Sequence, residues 1–456
     1  MAIWKVSDAS CSLTRRTFVG ALAATTATLQ IGQTELAVQA KTAETNSDAA
    51  DFPKIDWQND WPWWRGPMRN GHTVDGTALP TQFGEQQRVL WKAPVPGRGH
   101  ASPIIVGDAV YLSTADDQQQ SQSIVAYERT TGKQLWKREI NRGGFPEKNH
   151  PKNTAASPTL ACDGTRVISS SFHHKGVHLT ALDLNGKPLW QQRVGDFDPR
   201  RYEYGYAPSP VLYRQSVIVA AEHDGDSYIV ALKREDGKEI WRTPRPRSIS
   251  FSSPSIGRVA GRDQLLISGQ EQVSSYDPAT GKSLWQVPGT TFATCGTMVW
   301  TDEIVLASGG YPKAETIAVS AGSPPRVLWK NGQQCYEQSM IVFRSQEDQP
   351  TDYLVALTDK GIIYCWRIED GKEMWRERLR GPVSASPILA GGSIYWANEL
   401  GTIYVFEANP KQFKLIAENR IGSESMASPA VSHNQLFLRV ADGSNEQRRE
   451  YLYCFG

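Results

Sequence analysis

Thr131-Gly132-Lys133-Gln134-Leu135-Trp136 recurs four times with small changes. The later copies are Asn185-Gly186-Lys187-Pro188-Leu189-Trp190, Asp236-Gly237-Lys238-Glu239-Ile240-Trp241, Thr280-Gly281-Lys282-Ser283-Leu284-Trp285 and Asp370-Gly371-Lys372-Glu373-Met374-Trp375. An Asp, Asn or Thr before Gly, then an apolar–Trp pair, is a tight turn feeding a strand. Trp91 and Trp329 belong to the same series, whose spacings are 45, 54, 51, 44, 44 and 46. A second phrase opens each unit: Ser102-Pro103, Ser157-Pro158, Ser209-Pro210, Ser253-Pro254, Ser386-Pro387 and Ser428-Pro429. Thr297-Met298 and Ser339-Met340 hold that place in two degenerate copies. Between the phrases lie β-rich runs such as Ala109 to Leu112 and Ile124 to Tyr127. Each unit therefore reads as four short strands, A to D, with the Trp on D.

Four strands repeated every 40–50 residues predict an all-β, eight-bladed β-propeller. Seven blades is the alternative count, because units five and six lack the Pro. A stacked solenoid would show atypical caps at both ends. Here the ends complement each other. Arg88 to Lys92 is a D strand without A, B or C, and the last unit supplies A, B and C (Ser428 to Phe455) and stops. Pairing the two closes the ring and removes an exposed sheet edge.

Composition limits the function classes. Lys and Arg number 49 against 48 Asp and Glu in 456 residues. That balance excludes a basic nucleic-acid footprint and an acidic tail. A mean hydropathy of −0.45 excludes a multi-span membrane protein. Residues 1–40 read as an address. Thr14-Arg15-Arg16-Thr17-Phe18-Val19 precedes a weakly apolar stretch to Ile31, and Val38-Gln39-Ala40 offers a cleavage point. The pattern resembles a twin-arginine export signal; an ordinary secretory signal is the alternative. Its removal takes Lys5, Arg15, Arg16, Asp8 and Glu35, leaving equal positive and negative counts and no transmembrane segment. Residues 41–87 form a lead-in, polar and flexible over 41–56, and 88–456 form the propeller.

Cys162, Cys295, Cys335, Cys365 and Cys454 remain after cleavage. They form no C-x-x-C and no adjacent pair, so a zinc ribbon, a redox dithiol and an attached haem are not indicated. Cys295 and Cys335 precede strand A in neighbouring blades, which leaves a rim disulfide open.

Gly-Lys-x-Leu-Trp joined to Ser-Pro openings closely resembles the PQQ-like (pyrroloquinoline quinone) propeller repeat, over about residues 57–456. Trp61-Pro62-Trp63-Trp64-Arg65-Gly66-Pro67 and Arg69-Asn70-Gly71 resemble the lead-in of secreted bacterial members. The resemblance implies an eight-bladed propeller outside the cytoplasm. It also implies that Trp136, Trp190, Trp241, Trp285, Trp329 and Trp375 dock one blade on the next, each worth about 3–5 kcal/mol if truncated. It implies no single activity. One branch holds quinoprotein alcohol dehydrogenases, which bind quinone over calcium in the central funnel. Another holds a lipoprotein scaffold for outer-membrane barrel assembly.

Two features count against the quinone branch: no adjacent cysteine pair, and about 46 residues per blade, which leaves little for loops. In a propeller, residues just before strand A and just after strand B share one funnel rim. Asn153, Tyr206 and Glu337 stand before A; Glu222, His223, Asn398 and Glu399 stand after B. These are the candidate binding residues. Glu222, Asn153, Glu337 and Glu399 could offer oxygens to a hard cation, but no metal site is assigned. His173-His174 with His178 suggests a transition-metal site, yet neighbours on a strand point to opposite faces, which favours solvated loop histidines. The leading expectation is a monomeric exported binding or scaffold module, periplasmic or extracellular, that meets a protein or glycan partner at the rim and carries no confirmed cofactor. The alternative is a PQQ-dependent alcohol or sugar dehydrogenase, with calcium. A hydrolase or lyase using the funnel is the third reading.

Overall fold

The computed structural model describes residues 49–345, 349–443 and 447–456. The expected export signal lies outside them. The described chain contains eight four-stranded antiparallel sheets, one per predicted unit. Blade 1 comprises Ile104–Val106, Ala109–Asp116, Ser121–Glu128 and Gln134–Arg142, and the others follow in order. Units five and six, without the Pro, form full blades like the rest, so the count is eight. Blade 8 takes its D strand from Val89–Val95, which pairs antiparallel with Arg449–Phe455. Closure by the two ends of the chain is thus as the sequence predicts.

Strand D of every blade carries a bulge at one position. In blade 1, Ala126 faces Trp136 and Tyr127 faces Gln134, so Leu135 has no partner across the ladder. The same slip occurs at Leu90, Leu189, Ile240 and the equivalent residue in each remaining blade. A bulged residue turns out of the alternation. This is why Leu90, Leu135, Leu189 and Ile240 are exposed although the sequence pairs each with a Trp that is not.

The Trp reaches into the next blade. Nε1 of Trp91, Trp136, Trp190, Trp329 and Trp375 donates to the carbonyls of Arg129, Leu184, Arg234, Ile368 and Asn409, at 2.7–3.1 Å. The rings of Trp91, Trp136, Trp190, Trp241 and Trp329 lie against Gly132, Gly186, Gly237, Gly281 and Gly371 of the following turn. These glycines have φ of 70–79°, and an added Cβ would come within 2.4–2.8 Å of the ring. Trp285 differs: its Nε1 donates to Gln264 Oε1 within its own blade, at 2.8 Å. Trp91 and Trp285 are buried, and the other five are half-buried. The cost of truncating those five therefore falls below the value for a fully buried ring.

Residues 51–87 are not a loose lead-in. Phe52, Ile55, Trp61, Trp63 and Phe83 are buried in the same cores as the blades. The polarity of residues 51–56 misleads because its two apolar side chains are the ones that dock. Residues 61–73 then cross the central channel among the A strands. Trp61 pairs with Ile105 of blade 1, and Pro62 O accepts from Cys162 N of blade 2. Arg65 donates to Met340 O and Pro387 O, Arg69 to Leu212 O, and His72 Nε2 contacts Val342 O at 2.7 Å.

Gly237→Ala should lower the thermal midpoint more than Gly261→Ala. Both glycines have positive φ, which costs about 1 kcal/mol for a side chain. Only Gly237 has a ring against it, adding about 1–3 kcal/mol of overpacking, whereas nothing lies within 4 Å of a Cβ at Gly261. In a Trp190→Ala background the excess penalty at Gly237 should disappear. Equal losses at both glycines would show that the ring contact carries no energy.

Candidate functional site

The Ser-Pro phrase builds the wall of the channel. Ser102 N donates to Thr159 Oγ1, Thr159 N to Ser209 Oγ, and Ser209 N to Ser253 Oγ, at 2.9–3.0 Å. Around the other half, Thr297 N donates to Ser339 Oγ, Ser339 N to Ser386 Oγ, Ser386 N to Ser428 Oγ, and Ser428 N to Ser102 Oγ, at 2.7–3.0 Å. Each hydroxyl but that of Thr297, which accepts from Trp64, takes the amide hydrogen of the preceding blade. A hydroxyl is required at this place because a buried amide left unpaired costs about 1–3 kcal/mol. In blade 2 the residue in the ring is Thr159, two places after the Ser157 that the Ser-Pro pattern selects.

Trp64 closes the inner end of this ring, its Nε1 on Thr297 Oγ1 at 2.8 Å. Above it lies a cavity of about 190 Å³, lined by the hydroxyl ring, by Trp64, His100, Lys152, Asn153, Tyr204, Phe251 and Cys295, and by Tyr336, Glu337, Ser384 and Met426. The mouth is asymmetric. Residues 143–160 and 197–210, before blades 2 and 3, are its longest connections, and they bring His150, Lys152, Asn153 and Tyr204. The signal for them was the spacing of the tryptophans: 54 and 51 across these blades against 44–46 elsewhere. Loop length is concentrated there, not spread evenly over the ring. An aromatic wall follows: His150 against Tyr204 at 4.6 Å, Tyr204 over Phe251 at 6.0 Å, and Tyr202 against Tyr204 and Tyr311.

Among the seven predicted rim residues, Asn153, Glu337 and Glu399 come together. Asn153 Nδ2 donates to Tyr204 O at 2.6 Å and its Oδ1 accepts from Ser157, so it fixes the two long loops to each other. Ser384 Oγ contacts Glu337 Oε2 and, at 2.7 Å, Glu399 Oε1; Lys152 Nζ is also 2.7 Å from Glu399 Oε1. The other four are placed in the scaffold. Glu222 is buried in an ion pair with Arg245 at 2.7 Å, and Arg245 continues to Ser274 and Tyr276. Tyr206 is buried with its hydroxyl on Ala220 O. His223 Nδ1 accepts from Asp198 N and Gly225 N. Asn398 Oδ1 accepts from Leu400 N and Thr402 N and its amide donates to Arg380 O, organising a turn. All four stand before a strand A or after a strand B. The direction of each side chain was not in the spacing.

Two further expectations change. Cys295 and Cys335 are both free; Cys335 is buried with its Sγ toward Leu357 O, so no rim disulfide forms. Of the three histidines only His174 is a solvated turn residue; His173 is buried and His178 half-buried. His174 and Lys175 have positive φ, which ends the strand alternation, and His173 Nδ1 lies 3.1 Å from His174 Nδ1 with His178 stacked at 3.7 Å. Burial, aided by the other two rings, holds His173 down at about 3.

Glu337 has a raised pKa, chiefly from burial; Ser384 and Lys152 oppose the rise, and Glu399 and Asp359 add to it. The geometry agrees. A hydroxyl has one proton, yet Ser384 meets two carboxyl oxygens. Lys152 already serves Glu399, so the second contact takes its proton from Glu337. The described residues do not fit a quinone over calcium. Lys152 sits on Glu399, and Glu337 is the one carboxyl group among the described lining residues, too few hard oxygens to hold calcium. The cavity is also below the roughly 300 Å³ at which small-molecule sites begin.

A raised carboxyl pKa gives stability that is present below the unfolded value, 4.5, and is lost as pH rises through the folded value. Glu337→Gln keeps the neutral form at every pH. Its thermal midpoint should exceed that of the wild type at pH 7 and match it near pH 4. A difference independent of pH would remove the shared-proton arrangement.

A family model described as "Outer membrane protein assembly factor BamB" matches residues 74–201, 120–349 and 319–412. The outer membrane protein assembly factor BamB of Burkholderia pseudomallei is 24% identical over 383 residues, 81% of this chain and 91% of that protein. The crystal structure of BamB from Moraxella catarrhalis superposes with a TM-score of 0.53 at 14% identity, covering 79% of this chain and 95% of that one. The quinohemoprotein alcohol dehydrogenase of Comamonas testosteroni gives 0.56 at 13% identity, with 92% and 84% covered. At these identities the two structures share the fold alone. Family match and blade architecture agree: the chain belongs to the PQQ-like repeat propellers, in the family described as outer membrane protein assembly factor BamB.

Proposed function

We propose that this chain is an exported binding module that receives a protein partner at its funnel mouth and does not itself transform a substrate. The observation that carries the reading is the asymmetric mouth. A ring of otherwise minimal loops invests its length in residues 143–160 and 197–210, which stand over a closed, aromatic-lined funnel. Loops held by a rigid scaffold are where binding residues concentrate. The relative named as an assembly factor, matched over most of both chains, supports a protein partner over a redox substrate. Export rests on Arg15-Arg16 ahead of the apolar stretch. No helix among the described residues is long and apolar enough to cross a membrane.

A photo-crosslinking residue at Tyr202, on the mouth, should trap a discrete protein adduct in an envelope fraction, and one at Leu189, on the outer edge, should not. Adducts only at Leu189 would move the interface to the blade edge, and a glycan adduct at Tyr202 would replace the protein partner. Dye reduction with alcohols or sugars after adding quinone and calcium would overturn the non-catalytic reading.

Changing both Arg15 and Arg16 to Lys should leave uncleaved precursor in the cytoplasm. Undisturbed export would point to the general secretory route.

A further inference from the structure

We propose that the funnel binds a primary ammonium group against Glu337, carried by a small diamine or by a lysine side chain that a partner inserts. The inference deepens the docking role above and rests on it only for the second source.

Three observations converge on this chemistry. The first is charge. The groups facing Glu337 are Ser384, Lys152, Glu399, Asp359, Cys295 and Tyr336; Lys152 is seated on Glu399 and Asp359 accepts from Gln334 and Tyr336, which leaves Glu337 as the carboxyl group on the cavity lining. Lys152, seated on Glu399 at 2.7 Å, shows the kind of group this lining accepts. Its side chain remains 41% exposed; its charge also reaches Glu337, which has no ion pair of its own among the described residues. The second is the wall. Trp64, Tyr204, Phe251 and Tyr336 line the same cavity, and aromatic faces attract cations within about 6 Å, most strongly when water is excluded. The third is an unused polar atom. His100 lines the cavity and its Nε2 is buried with no partner among the described residues. Burial, with Arg98 and Arg439 nearby, keeps the ring neutral, so Nε2 can accept a hydrogen bond from an ammonium.

Size agrees as well. About 190 Å³ is ample for an alkylammonium chain and small for a larger ligand. A neutral sugar would also stack on the aromatics, but it would leave Glu337 without a counter-charge, and an anion would meet a carboxyl group.

Binding exchanges one cation for another. The proton that Glu337 shares with Ser384 leaves to solvent, and the ammonium takes its place between Glu337 and the aromatic wall. No covalent bond forms or breaks apart from that O–H. Affinity should rise with pH above the ordinary carboxyl value of 4.5, until the ammonium itself begins to lose its proton near 10.

The test is calorimetric titration of the cleaved full-length chain. Cadaverine and an end-blocked tripeptide with a central lysine represent the two sources. Pentanediol, glucose and the same tripeptide with acetyl-lysine are the controls. Cadaverine should bind with proton release, read from two buffers of different ionisation heat, and the neutral controls should not. Glu337→Gln should weaken binding at least tenfold and abolish the proton release, and Phe251→Ala should weaken it severalfold. Should Glu337→Gln fail to fold, the lysine against acetyl-lysine comparison on the wild type decides alone. Equal binding of the diol or glucose, or no heat from either amine, overturns the proposal. Cadaverine binding without tripeptide binding restricts the site to free amines. Amine binding without a Tyr202 adduct leaves this pocket standing and removes the docking role. An adduct without amine binding does the reverse.

Discussion

The propeller depends on one contact made over and over: the Trp of one repeat lying on the glycine turn of the next. The two halves of this contact sit four residues apart in the sequence phrase but never meet within it. Trp136 meets Gly186, not Gly132; Trp190 meets Gly237, not Gly186. A repeat therefore cannot satisfy its own motif. It needs a neighbour on each side, and the only arrangement that gives every copy two neighbours is a ring. The positive φ of the glycine and the ring pressed against it are a single constraint, because a Cβ there is refused by the backbone and by the indole together.

The hydroxyl ring applies the same logic at the inner edge. In seven of the eight blades a Ser or Thr before strand A caps an amide of the preceding blade, and in the eighth Thr297 takes Trp64 instead, so the A strands are tied around the axis as the D strands are tied around the rim. The two belts leave the blades little freedom to adjust, and variation is confined to connections that take part in neither. The extra length of loops 143–160 and 197–210 lies ahead of their belt residues, Thr159 and Ser209, and it carries His150, Lys152, Asn153 and Tyr204 to the mouth.

This division explains what could be read from the sequence. Blade number, strand order and closure by residues 89–95 follow from a pattern repeated eight times, which averages away local exceptions. The site has no such redundancy. Glu222 and Glu399 both follow strand B, yet Arg245 draws one into the scaffold and Ser384 with Lys152 holds the other at the funnel. Only the partner distinguishes them, and the partner comes from another connection at an unpredictable separation. The histidines failed for a local reason: a positive φ at His174 breaks the alternation that would have parted it from His173. Near-zero net charge was informative in its own way. It directs attention from a long-range field to a local one, Glu337 on the cavity lining with the nearby lysine already seated on Glu399.

The joint after blade 7 lacks the Trp itself, and it shows what the lead-in is for. Blade 7 has Ala417 opposite Val405, where Cys365 faces Trp375 one blade earlier. The blade that follows is the one closed by the chain ends, so it has no C-to-D turn and no glycine on which a Trp could lie. Residues 79–87 fill the gap instead. Phe83 packs on Phe455 at 4.8 Å, Phe83 N is held by Asn419 Oδ1 at 3.0 Å, and Asn419 Nδ2 donates to Thr81 O. Some fourteen residues earlier, the same lead-in lays Arg65 across the channel and seats Trp64 at its floor. The last joint of the ring and the floor of the funnel are thus both supplied by one stretch of chain, residues 61–87.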